Sequence, residues 1–328
     1  MSLRTFTATV TLAAVLGGTA FPTLAETLRI GWQQIVEPSR IPQADKTYDS
    51  ATGATVEWSL FGGGADVIAA IAAGSIDIGY VGSSPLTAAA SQDLPVEVIY
   101  IVGTIAGAEA LVVKGIDRPG DLKGKKIATP FVSTAHYALL TALGHWGIDA
   151  SEVSLLNLRP QEIAAAWERG DIDGAYIWDP VLNQIRTTGG TVLADSTDVA
   201  GWGGPTFDAW IVRKAFAEAH PDIVTAFVKV TGEASDAYLA DPAAWGAESE
   251  QAKKIAELTG APVADVPGLL SGYAFAGLKD QTSEAFLGKA TAEAIRNTAA
   301  FLATQGAGSA KEDYSAFVNK GFAEAALK

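Results

Sequence analysis

Short apolar runs alternate with longer amphipathic stretches along most of this chain. Residues 28–30, 55–60, 127–129, 153–157 and 175–178 form runs of strand type and strand length. Between them, 134–146 repeats apolar residues on one helical face and stops at Gly147, a residue suited to the left-handed position after a helix. Residues 164–169 stop at Gly170 in the same way. Such alternation predicts an α/β fold with mainly parallel sheet flanked by helices.

One pattern occurs twice. "GSIDIGYVGSSP", starting at Gly74, is echoed by "GDIDGAYIWDP" at Gly170, 96 positions later. The likeness extends upstream: "TLRIGWQQ" to "GSSP" and "KKIATP" to "YIWDP" both read as strand, helix, strand, helix, strand. The echo therefore marks the third strand of two equivalent lobes, with Gly74 and Gly170 ending the preceding helices. A chain of 328 residues is long enough for two cores.

Open parallel sheets bind ligands beyond the carboxyl ends of their strands. Those places hold Trp32, Gln33 and Gln34, residues 61–64, Gly82 with Ser83 and Ser84, residues 131–136 and 158–161, and Trp178 with Asp179. In "GSSP" Pro85 suits the first helical position and Ser84 the N-cap, which leaves backbone N–H groups free to attract an anion. "FVSTAH" makes a second helix start, with Ser133 or Thr134 as cap and His136 in the first turn. Capping alone is the commoner role of such residues, and only the facing of two starts across two lobes points to a ligand.

Composition narrows the chemistry. There is no cysteine, which excludes disulfides, zinc thiolates and thiol nucleophiles. The three histidines are scattered: His145 and His220 have structural settings, and only His136 occupies a strand end, so no metal centre is expected. "FGGGAD" and "GDLKGKK" lack the spacing of nucleotide-binding loops, and neither Gly-x-Ser-x-Gly nor His-Glu-x-x-His occurs. No cofactor is expected. Residues 1–25 combine Arg4, an apolar stretch and a Thr23-Leu24-Ala25 ending, the features of a secretory signal cleaved after Ala25, which implies a soluble periplasmic product. Without that segment the formal net charge moves from −14 to −15, so nucleic acid is not an expected partner.

At "STAHYALLTALGHWGI", "AAWERGDIDGAYIWDP", "GWGGPTFDAWIVRKAFAEAHP" and "LVVKGIDRPGDLKGKKIATP" the chain resembles the taurine-binding proteins of bacterial ABC importers. These belong to a wider group for nitrate, alkanesulfonates and thiamine precursors. The resemblance covers nearly everything from Leu28 onward. It implies a type II periplasmic binding fold: two lobes joined by two crossover strands, "EALVVK" and "DAWIVRK", with a small molecule between them. On that plan 26–110 and 212–328 form the first lobe and 111–211 the second.

The resemblance adds Glu109 and Asp208, each beside a crossing. A zwitterion such as taurine would then place its sulfonate on Ser83, Ser84, Ser133 and Thr134, with Gln33 and His136 nearby. Its ammonium would meet Asp208 and Glu109 under the faces of Trp178 or Trp32. Trp32 and Asp179 depart from the group's pattern of Tyr and a small apolar residue; Asp179 also suits a helix cap. The expected product is a monomer that delivers ligand to a membrane permease driven by ATPase subunits. A receptor for another alkanesulfonate or small organic anion, and an enzyme on the same scaffold, are the alternatives.

Overall fold

The computed structural model describes residues 26–305 and 309–328; the signal segment inferred above lies outside them. The chain opens with β1 (Thr27–Trp32), α1 (Arg40–Ala44), α2 (Thr47–Thr52), β2 (Thr55–Leu60), α3 (Gly64–Ala72), β3 (Ile78–Gly82), α4 (Ser83–Ser91) and the long strand β4 (Val96–Ile105). It passes into β5 (Glu109–Val113), β6 (Lys126–Thr129), α5 (Thr134–His145), β7 (Ser154–Asn157), α6 (Pro160–Arg169), β8 (Gly174–Trp178), α7 (Val181–Thr187), β9 (Thr191–Asp195) and α8 (Ser196–Gly201). It returns through β10 (Phe207–Arg213), α9 (Lys214–Ala219), α10 (Pro221–Ala240), α11 (Glu250–Thr259), α12 (Val266–Leu270), β11 (Tyr273–Phe275), α13 (Lys289–Thr304) and α14 (Gly321–Ala326).

Two sheets result, with strand orders β11-β4-β10-β3-β1-β2 and β7-β6-β8-β5-β9. In each, three strands run parallel in the order second, first, third: β2-β1-β3 and β7-β6-β8. An antiparallel strand then joins beside the third, β10 in the first sheet and β5 in the second. Each sheet is thus mixed: β10, β4 and β11 pair antiparallel in the first, and β5 pairs antiparallel with both β8 and β9 in the second. The chain crosses between β4 and β5 and again between α8 and β10, so the boundaries expected at 110/111 and 211/212 shift by a few residues: Glu109 and Ala110 join the second sheet, and 207–211, with Asp208, the first.

The echoed motif has one structural job in both halves. Asp77 Oδ2 accepts from the N–H of Arg29 at the start of β1, and Asp173 Oδ2 accepts from the N–H of Lys126 at the start of β6. The backbones repeat the match: Asp77 N–H donates to Arg29 O and Asp173 N–H to Lys126 O. Arg213 and Lys114, at the far ends of the antiparallel strands, donate their N–H groups to Asp77 O and Asp173 O. Gly74 and Gly170, just before, have φ of +70° and +75°, a region that costs a side chain dearly and glycine little.

Strands β3, β5 and β8 are buried along their whole length, as expected when helices cover both faces of a sheet. The edge strands β2 and β7 are largely exposed. Under the first sheet Tyr48, Trp58, Tyr80, Trp210 and Phe227 form a chain of edge-on and stacked rings with centroids 4.9–6.4 Å apart. Helix α13 packs on α4 of the first lobe, and its Phe301 meets Tyr137 of α5 in the second, centroids 5.0 Å apart.

Candidate functional site

The carboxyl ends of the parallel strands from both sheets converge on one cavity. Gln33, Tyr80, Gly82, Asp208 and Tyr273 line it from the first lobe, and Glu109, Ser133, Thr134 and Trp178 from the second. The lobes are closed upon it. The space left is about 20 Å³, enough for about one water molecule. Further contacts hold the closure: Asn183 Nδ2 donates to Asp265 Oδ2 at 2.8 Å, and Arg159 reaches Asp66 at 3.8 Å.

Helix α4 follows β3 with no intervening loop. Its N-cap is Gly82 and no side chain caps it, so the expected assignment of Ser84 as N-cap is corrected. The helix starts at Ser83, two residues sooner than the Ser-Pro rule places it. Pro85 is still tolerated in the first turn, where its N–H is not required. Ser83 and Ser84 therefore offer first-turn amides without intrahelical acceptors. Ser83 Oγ accepts from Phe207 N–H at 3.4 Å, whereas Ser84 Oγ is buried with no partner among the described residues. Neither serine, both expected at the ligand, is among the residues lining the central cavity, where Gly82 and Pro85 represent this helix start.

Helix α5 is capped by Ser133, the first of the two residues proposed from sequence. Its Oγ accepts from His136 N–H at 3.1 Å and donates to Pro130 O at 2.5 Å. Thr134 turns inward instead and donates to Glu109 Oε2 at 2.6 Å.

Glu109 is fully buried, and its other oxygen accepts from Ser196 Oγ at 2.9 Å. Burial pushes its pKa up to about 8; the Thr134 and Ser196 hydroxyls oppose the rise, and the charge of Asp208 adds to it. Asp208 is 5% exposed and accepts from the hydroxyls of Tyr80 at 3.0 Å and Tyr273 at 3.1 Å. Burial raises it to about 7 against the pull of those two donors, with Glu37 adding to the rise. A fixed positive charge between the two carboxyls would reverse both shifts, since an opposite charge within a few ångströms favours the ionised form.

Gln33 lines the cavity and donates from Nε2 to Tyr80 O at 3.0 Å. Trp178, at the end of β8, forms another wall. Two expected ring contacts lie elsewhere. Trp32 is covered by the buried Arg40 guanidinium, 5.0 Å from its ring centre, so its face is taken by the protein's own cation. His136 stacks on Phe131, centroids 4.5 Å apart, and its Nδ1 accepts from Val132 N–H at 3.4 Å. It faces a neighbouring cavity together with Ser84. The helix expected to begin at Pro180 begins at Val181, with Pro180 as its N-cap; Asp179 stands one residue before the cap, and its Oδ1 still accepts from the first-turn N–H of Asn183 at 2.9 Å.

Sequence reading missed Tyr80, Tyr273 and Ser196. Tyr80 had a signal, since it stands two residues before Gly82 on the same side of β3. The other two lie in segments outside the repeat and carry none. Among the described residues no group of three or more His, Cys, Asp or Glu side chains is placed to hold a metal.

A cavity of opposed carboxyls and open helix starts, closed between two doubly connected lobes, defines a two-lobed ligand-binding protein. Residues 26–257 match the family described as the substrate-binding domain of ABC-type glycine betaine transport systems, and the chain belongs to that family. It is 46% identical over 316 residues to the taurine-binding periplasmic protein of Escherichia coli strain K12, covering 96% of this chain and 98% of that one. A putative aliphatic sulfonates-binding protein of Bacillus subtilis strain 168 is 33% identical over 216 residues, covering 63% and 64%. The alkanesulfonate-binding protein SsuA from Xanthomonas axonopodis pv. citri, solved bound to MOPS, shares the fold with a TM-score of 0.73 at 24% identity, covering 86% of this chain and 95% of that one.

Proposed function

We propose that this chain is the periplasmic receptor of an ABC importer and that it captures taurine, 2-aminoethanesulfonate, between its lobes. The observation that carries the reading is the meeting, in one cavity, of two buried carboxyls from opposite lobes with two helix starts. In this reading the sulfonate lies between the starts of α4 and α5, against Gly82, Ser133 and Thr134, and the helix dipoles favour its charge there; the amides of Ser83 and Ser84 come within its reach when the lobes adjust around it. The ammonium meets Asp208 and Glu109, and Trp178 contributes a cation–π attraction of about 0.5–2 kcal/mol. Gln33 braces the floor, and Ser133 holds α5 in place through its cap. The relation to the Escherichia coli taurine-binding protein supports both the ligand and the compartment.

Entry requires the lobes to part, because the closed cavity is smaller than the ligand; closing then excludes water and strengthens every polar contact. The receptor works as a monomer that binds without catalysis and delivers to a permease dimer driven by ATPase subunits. Titration calorimetry of taurine against ethanesulfonate tests the reading. Taurine is expected to bind at least tenfold more tightly. Equal affinities would overturn the role of the carboxyls, and no heat from either would overturn the sulfonate receptor.

A further inference from the structure

An ion pair sealed from water lies against the Tyr80 ring. Arg40 is 0% exposed and Glu37 1%, and Arg40 Nη2 stands 2.5 Å from Glu37 Oε1. Gln43 Oε1 accepts from Arg40 Nη1, and Glu37 accepts from the N–H and the hydroxyl of Ser39. Arg40 Nε has no hydrogen-bond partner among the described residues. Much of what surrounds the guanidinium is aromatic: its carbon lies 5.0 Å from the ring centre of Trp32 and 5.7 Å from those of Tyr80 and Trp210.

A pair of this kind is a poor device for stability alone. Desolvating two charges cancels much of their attraction, and apolar side chains of the same volume often serve as well or better. Its place in the fold serves the site. Gln33 and Ile35, on the segment that joins β1 to this pair, line the cavity. Tyr80 stands at the junction: its ring meets the guanidinium and, edge-on, Trp210, with ring centres 5.1 Å apart. Its carbonyl accepts from Gln33 Nε2, and its hydroxyl donates to Asp208 at 3.0 Å. Burial pushes that hydroxyl well above its usual range, so it stays a donor. Its aim therefore depends on how the ring is held.

We propose that Arg40, paired with Glu37, is a positioning residue for the ammonium end of the site: the guanidinium, held among Trp32, Tyr80 and Trp210, fixes the Tyr80 ring so that its hydroxyl points at Asp208. This rests on the ammonium position proposed above. Arg40 touches no ligand; it acts through Tyr80. A thioether chain would fill the space but is flexible and uncharged, so it would let the ring tilt, whereas an ammonium keeps a cation against the three rings.

Calorimetry of taurine and ethanesulfonate on the full protein tests this. Arg40→Met is expected to weaken taurine fivefold to tenfold and ethanesulfonate, which has no ammonium, less than twofold; the retained ethanesulfonate affinity also verifies the fold. Because Arg40→Met leaves Glu37 buried without its cation, Glu37→Gln/Arg40→Met, which removes both charges, is measured beside it and should give the same split. Arg40→Lys should stay within twofold of the unmodified protein for both ligands. In a Tyr80→Phe background, Arg40→Met should cost taurine less than a further twofold, since the hydroxyl it positions is already gone. Equal losses for both ligands, additive losses with Tyr80→Phe, an Arg40→Lys loss as large as that of Arg40→Met, or failure of both Met variants to fold would each overturn the positioning role. An unmodified protein that binds taurine no better than ethanesulfonate strikes the ammonium reading itself, and the positioning role with it.

Discussion

Glu109 and Asp208 approach one cavity from opposite lobes, and each is met by two hydroxyls: Thr134 and Ser196 for Glu109, Tyr80 and Tyr273 for Asp208. Hydroxyls can donate to a carboxylate or accept from a carboxylic acid. The same four residues therefore suit the carboxyls both when burial favours the protonated form and when a neighbouring cation favours the ionised one.

The first prediction concerns pH. With folded pKa values of about 8 and 7 against roughly 4 in the unfolded chain, the empty folded state holds more protons than the unfolded state across that window. The contribution of these groups to stability is fully present below about pH 4 and is lost as pH rises toward 7 and 8. Taurine binding should release protons, so its affinity should rise from pH 5 to about 8. Calorimetry in buffers of different ionisation enthalpy measures the release; a pH-independent affinity would contradict it.

Removing the charge should separate two ligands. Asp208→Asn is expected to cost taurine roughly 2–4 kcal/mol, a factor of about 30 to 1000, and ethanesulfonate much less. Tyr80→Phe removes one donor to the same carboxylate and should weaken taurine by about tenfold. Affinities measured for both ligands on both variants decide it.

Gly82 leaves no spare room. A β-carbon there would stand 2.6 Å from Thr134 Cγ2 and 3.3 Å from Asp208 Oδ1, in the space between the lobes. Gly82→Ala should wedge the lobes apart, lower taurine affinity by tenfold or more, and increase the radius of gyration in small-angle scattering. An unchanged radius with unchanged affinity would refute this.

Asp77 predicts a purely structural effect. It accepts from Arg29 at three positions and from Arg213 at 2.6 Å, and is itself almost fully buried. Asp77→Ala should cost roughly 3 kcal/mol of unfolding free energy, because both arginines lose their buried partner. Denaturant unfolding reports the loss, and taurine affinity in the folded variant should remain.

Much of this architecture was readable because it is periodic. The Gly-x-Ile-Asp echo located the third strand of each lobe, and Gly74 and Gly170 behave as helix-ending glycines must. The Ser133 cap was readable because it is local. The start of α4 was misjudged since Ser-Pro satisfies a capping rule, while the actual cap, Gly82, is set by β3 running straight into the helix. Trp32 was misjudged for a long-range reason: Arg40 covers its face, and nothing in the sequence near either residue announces that pairing. Tyr273 reaches Asp208 from 65 positions downstream, through a segment with no counterpart in the other lobe.

The doubled aspartate bracket bears on how the molecule moves. Because each half is tied from first strand to third by its own carboxylate, neither borrows rigidity from its neighbour. Swinging together can then proceed as two stiff plates meeting on a pair of threads, with the work of capture concentrated at the seam rather than dissipated inside the plates.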